Sequence, residues 1–215
     1  MAFFGGKKET QGSSVTNDTV NSATIITKGS KVSGNIQSND TLHVDGEVDG
    51  DITVNNVVLV GKSGVVNGNI KAQQVICNGK INGSIECNAI EVLQNAEVSY
   101  KIIAASTVII DGMYNGEIKA KSVLVDTHGS AENKIQAKEI VVKGAFMGDL
   151  ACELLTTKPS GKIKGNMFVK NILNEGGLVE GAIGQFKDIF ASEIQEVKEI
   201  ENKSDDIEDA EIEEK

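Results

Sequence analysis

The chain has 215 residues, a formal net charge of −10, 23 glycines, one proline and no tryptophan. From Phe186 onward there are 4 lysines against 12 acidic residues, so this segment carries −8 of the −10. With no basic footprint to meet phosphates, nucleic acid is excluded as a partner, and so glycine-rich and proline-poor a chain fits a solenoid better than a layered α/β domain.

The three cysteines, Cys77, Cys87 and Cys152, show no pairing pattern and point to a reducing cytoplasm. No stretch reads as a signal peptide, and no apolar run is long enough to span a bilayer. Residues 1–21 lack periodicity and read as a disordered leader. Within it Phe3 and Phe4 stand beside Lys7 and Lys8. That pattern suits a short interfacial anchor, with rings at the headgroup boundary and lysines on anionic lipid. A plain disordered terminus is the other reading. One such tail binds weakly, so an anchor of this kind needs many copies displayed together.

From about residue 22 to 185 one pattern recurs about ten times, clearest as Val44-Asp45-Gly46-Glu47-Val48-Asp49-Gly50-Asp51-Ile52. Its second glycine falls at Gly34, Gly50, Gly68, Gly83, Tyr100, Gly116, Asn133, Gly148, Gly165 and Gly181, in steps of 15 to 18 residues. A period of this length with strand-like alternation inside it is the signature of a β-solenoid. Two residues to either side of this key position every residue is apolar. The pairs Val48 and Ile52, Val66 and Ile70, Ile81 and Ile85, Val98 and Ile102, followed by Ile118 and Ile135, make the expected core ladder. A single turn cannot bury such a ladder; stacked turns bury it continuously. The column four after the key position is small and includes Ala72, Cys87, Ala104 and Cys152, as an inner wall turning a corner requires. The key glycines indicate φ > 0 or close approach of coils. Asn133 tolerates that conformation, whereas Tyr100 predicts a local distortion.

A second rhythm overlies the first. Short corners such as Val44-Asp45-Gly46 and Cys77-Asn78-Gly79 alternate with long ones such as Val60-Gly61-Lys62-Ser63-Gly64. Asp-Gly and Asn-Gly are tight-turn dipeptides, so the true repeat reads as a pair of coils. Pro159 lies in a corner, where it interrupts nothing. Past the solenoid, Phe186, Ile189, Phe190, Ile194, Val197 and Ile200 fall at helical spacing and predict an amphipathic helix over 186–201. This helix either caps the open strand edges or contacts another protein. Residues 202–215 read as an acidic disordered tail.

Several stretches imitate reactive sites. Gly61-Lys62-Ser63 lacks the upstream glycine of a phosphate loop, with Asn56 in its place. Asp45 through Asp51 lacks the closing glutamate of a calcium loop. The cysteines read as core, His43 and His128 as unconnected surface groups, and Ile103 and Phe168 as exposed apolar residues. No catalytic, cofactor or metal residues are assigned. A hexapeptide acyltransferase solenoid would keep a strict six-residue period, which steps of 15 to 18 do not.

The V-x-G-x-V-x-G-x-I turns, led by a Phe/Lys terminus and flanked by short tails, resemble those of the bactofilins, bacterial cytoskeletal proteins. The resemblance implies a right-handed, three-faced β-helix that polymerises end to end without nucleotide into non-polar filaments. It implies binding to the inner membrane through the N-terminal tail, hence a cytoplasmic, membrane-peripheral location. It also implies a role as a scaffold for cell-wall or morphogenetic proteins. Ten turns are more than the family usually has, and the C-terminal helix is not a standard part. The candidate polymer interface is Val32 and Ile36 at one end with Val179, Ile183, Phe186 and Phe190 at the other; a monomeric capped scaffold is the alternative.

Overall fold

A chain that alternates apolar and polar residues and turns at glycines makes short strands, and these strands build coils. The computed structural model describes residues 23–186. The leader with Phe3, Phe4, Lys7 and Lys8, the predicted helix beyond Phe186 with Phe190, and the tail 202–215 lie outside the described residues. The first coil is β1 (Ala23–Ile26), β2 (Lys31–Ser33) and β3 (Ile36–Ser38). On it lie β4 (Thr41–Val44), β5 (Glu47–Asp49) and β6 (Ile52–Val60), in parallel register. Then follow β7 (Val65–Asn67), β8 (Ile70–Cys77), β9 (Lys80–Asn82), β10 (Ile85–Val92) and β11 (Glu97–Ile110). The rest are β12 (Met113–Val125), β13 (Ser130–Val142), β14 (Ala145–Thr157), β15 (Lys162–Lys164), β16 (Met167–Asn174), β17 (Leu178–Glu180) and β18 (Ile183–Gln185).

Every pairing is parallel, and partners stand one repeat apart, as in Lys31↔Glu47↔Val65↔Lys80↔Glu97. The described residues therefore form a β-solenoid of about ten turns with three faces. At about 4.8 Å per coil the rod is about 45 Å long. The first face points one residue per coil inward, Val48, Val66 and Ile81 among them, all fully buried. The second points two, such as Ile52 with Val54. The third also points two, Leu42 with Val44 and Val58 with Val60, again buried. Volumes are matched along a column: Ala131 lies between Tyr114 and Phe146, so two large rings flank one methyl group.

Polar residues at the corner after the key position have a backbone task. Asn35 Oδ1 accepts from Asp51 N–H at 3.0 Å, Asp51 Oδ1 from Asn69 N–H at 2.8 Å, and Asn69 Oδ1 from Ser84 N–H at 3.1 Å. At the key position itself a Cβ on Gly50 would run into the Gly34 carbonyl below it, so close approach dictates glycine there. Tyr100 and Asn133 still adopt the left-handed backbone of the column, with φ of 84° and 88°. The pairing runs unbroken through Tyr100, which faces Gly116, so the distortion expected there does not appear in the register; a phenol is inserted beside it instead. The buried Tyr114 hydroxyl lies 2.5 Å from the Tyr100 carbonyl and 2.8 Å from that of Glu117, bridging two coils. Burial holds this phenol protonated, well above its ordinary range.

The alternation of corners also has a physical basis. Each long corner closes with an N–H to C=O bond across three residues: Gly64 to Gly61 at 2.8 Å, Ala96 to Leu93 at 2.8 Å, Gly129 to Asp126 at 2.9 Å. Two of its carbonyls then face the next coil. The glycine of the short corner sits against both: a Cβ on Gly79 would strike Gly61 and Gly64, and one on Gly144 would strike Asp126 and Gly129. Long corners protrude, and short corners nest on them.

On the outside the three faces differ. The first and second carry lysines, acids and asparagines, with Met113, Met147, Leu178 and Phe168 exposed among them. The third carries a continuous column from Ile25 through His43, Leu59, Ile76 and Glu91 to Ile109, and on through Leu124, Val141 and Thr156 to Leu173.

Candidate polymerisation surfaces

A solenoid buries each coil with the coils above and below it, so its two ends are its unsatisfied places. At the N-terminal end, β1, β2 and β3 pair on one side only, with β4, β5 and β6. Val32 and Ile36 occupy the columns of Val48 and Ile52, yet they are half-buried where the latter are buried. Ile25 is 59 % exposed. Gly34 keeps the column's φ of 122°, but no described atom lies within 4 Å of where its Cβ would stand.

At the C-terminal end β17 and β18 pair only with β15 and β16. Val179 and Phe186 are half-buried, and Ile183 is 63 % exposed. The third-face part of β16, Asn171–Asn174, pairs only with β14. Its inward Ile172 is left 38 % exposed as a result, where Leu155 one coil below is buried. The sequence reading missed Ile25, Ile172 and Leu178. For Ile172 the signal is the third face, where Leu42, Val58, Val75, Ile90 and Val108 form an inward column that ends in it; Ile25 begins the outward column of that face, and Leu178 ends an outward column of the first.

Charge at the ends is paired and exposed. Lys31 lies 2.6 Å from Asp49 and 2.9 Å from Glu47, and these partners raise its pKa. Asp49 is held below the ordinary carboxylate range, first by the Asn67 amide and then by Lys31. Lys158 meets Glu175 at 2.7 Å. Such exposed pairs steer contacts more than they stabilise a fold.

Among the described residues the interior is mostly apolar. Val48, Ile52, Val66, Ile70, Ile81, Ile85, Val98, Ile102, Ile118 and Ile135 are all buried, at 1 % exposure or less. Burial pushes the thiols of Cys77, Cys87 and Cys152 up to about 12. His43 on β4 stands 3.1 Å from Asp45, and His128 in a long corner stands 3.1 Å from Asp111, so the two histidines are apart. Ile103 is half-buried, not exposed as expected from the sequence, while Phe168 is 44 % exposed and lies over Gly184. Among the described residues no group of three or more His, Cys, Asp or Glu is placed to hold a metal.

The comparison with known families agrees with this geometry. The family Bactofilin, described as polymer-forming cytoskeletal, matches residues 24–109 and again 100–184. The overlap falls inside β11, which pairs with β9 and β10 on one side and β12 on the other. The two matches therefore cover one unbroken solenoid. No curated protein and no solved structure is significantly similar to the chain. With the family matched over about three quarters of its length, the chain belongs to the bactofilins, a family of polymer-forming cytoskeletal proteins.

Proposed function

We propose that this protein is a structural element, not an enzyme, and that it assembles end to end through its terminal coils, without nucleotide. The observation that carries the reading is the exposure of column residues at both ends. Joining two ends pairs the open strand edges and buries Val32 and Ile36 at one joint, Val179, Ile183 and Phe186 at the other. Phe190, the next ring in the sequence, belongs to the same C-terminal joint in this reading. The filament sits on the cytoplasmic side of the inner membrane, held by Phe3, Phe4, Lys7 and Lys8. One leader binds weakly, and a polymer displays many. A membrane-held rod of this kind scaffolds proteins of cell shape or cell-wall synthesis.

Electron microscopy of the purified chain without nucleotide tests the assembly. Filaments many times longer than the rod of about 45 Å are expected. Deletion of residues 2–8 is expected to leave the filaments intact and release them from anionic liposomes. A second reading, a capped monomeric scaffold, draws on the half-buried Phe186. A protein that stays monomeric at micromolar concentration would establish it instead.

A further inference from the structure

We infer that the outer surface of the third face is a lateral contact between two copies of this chain, lying side by side and antiparallel. Seven of the ten stations of the outer column traced above are apolar. They run the full length of the rod, and the inner partners of the same strands are already buried in the core. The outward column beside it holds Thr41, Val57, Gln74 and Ala89 in its first half and a single charge, Glu139, in its second. The first face, by contrast, carries Lys31, Glu47, Lys80, Glu97 and Lys162 in one outward column, with Val65, Met113 and Leu178 also in that column. A weakly charged apolar stripe on one face of three is not what a freely solvated rod requires.

The order of the stations identifies the occupant. Laid against itself antiparallel about a two-fold axis at mid-rod, the stripe sets Ile25 against Leu173, Leu59 against Val141, and Ile76 against Leu124. Two of its interruptions fall together, His43 against Thr156, while Glu91 meets Ile109 and its long side chain reaches the rim. Laid parallel in register, the same stripe would set Glu91 against Glu91 and His43 against His43. A face about 45 Å long and about 13 Å wide gives about 600 Å² per copy. The total of about 1,200 Å² lies at the lower edge of what a specific pair needs. Repeated along two end-to-end filaments, that contact becomes multivalent. The inference rests on the end-to-end reading for this last step alone.

The test uses the full chain with two outward variants, Ile76→Cys and Leu124→Cys, and a short bis-maleimide. The native thiols, pushed up to about 12 by burial, stay silent. An equal mixture is expected to yield at least tenfold more cross-linked dimer than either variant alone. In microscopy the double variant Ile76→Glu, Leu124→Glu is expected to convert paired filaments to single ones with unchanged circular dichroism. Cross-linked dimers from a protein that forms no filaments would support the lateral contact and sink the end-to-end reading. Single-width parent filaments with no cross-link would overturn the lateral contact and leave the end-to-end reading standing. Equal linking by each variant alone would overturn the antiparallel register. Linking that appears only after removal of residues 187–215 would make the chain's own C-terminal segment the occupant. Protection of Ile76→Cys by anionic liposomes, independent of protein concentration, would make a membrane the occupant; either result overturns the inference.

Discussion

Ile118 in β12 and Ile183 in β18 hold the same position in the repeat, two residues after the key glycine. Ile118 is fully buried and Ile183 is 63 % exposed. Neither the residue type nor the local backbone accounts for the difference. Ile118 has Ile102 below it and Ile135 above, whereas Ile183 has Met167 below and no described coil above. In a layered domain a core position is defined by its own element and the layer opposite. Here it is defined by the next turn of the same motif, so each end carries core chemistry at the surface. Each described terminal turn has one neighbour where a middle turn has two.

The largest break in this comparison comes from the middle. Ile85→Asp places an unpaired carboxylate between Ile70 and Ile102, at a position 1 % exposed. Burying a charge or unfolding the coils around it costs several kcal/mol. The variant is expected to lose cooperative thermal unfolding by circular dichroism. If it melts within a few degrees of the parent, the middle coils do not act as one buried stack.

The stacking was legible in the sequence because the period is short and the alternation strict. Each key position recurs after 15 to 18 residues, and the pairing register has the same steps. The corners were legible as an alternation without a reason. The reason lies between coils, in carbonyls such as those of Gly61 and Gly64 that face Gly79, and no single repeat contains it. The end surfaces were legible in part. Val32, Ile36, Val179 and Ile183 follow from the columns, but Ile172 does not. Its exposure depends on where pairing stops on the third face, which sequence periodicity leaves open. The outer apolar stripe was missed because its stations are scattered one per repeat among polar neighbours, and only the register aligns them.

A smaller effect on the fold, and a larger one on assembly, is expected at the C-terminal end. Ile183→Arg and Phe186→Arg change side chains that are exposed and half-buried, so melting of the single subunit should shift by no more than a few degrees. At a two-fold joint each arginine would face its own copy, and like charges held close repel. Filament growth should stop at dimers joined through the N-terminal coil, read by light scattering and microscopy. Long filaments from both variants would remove these residues from the joint.

The smallest effect contrasts a thiol in the middle with one at the end. Burial is the main cause that raises Cys87 to about 12 from an ordinary value of 9.0. A thiol ionises by losing its proton, so a raised folded value means that the folded state holds the proton longer than the unfolded state. The stability from this difference is fully present below pH 9 and is lost as pH rises from 9 towards 12. At pH 10 the loss is about 1 kcal/mol per such cysteine. Cys87→Ala is a clean comparison, because its register neighbours are Ala72 and Ala104 and an alanine fits the wall already. Denaturant titrations at pH 7 and pH 10 should therefore show a smaller pH loss for the variant than for the parent. At pH 8 Cys87 should resist alkylation as long as its coil stays folded, with labelling that follows unfolding. Ile183→Cys, in a column only two residues from that of Cys87, should label at once in the single subunit and become protected as filaments form. If the two thiols label alike at every protein concentration, the end coils are already covered and the contrast between middle and end does not drive assembly.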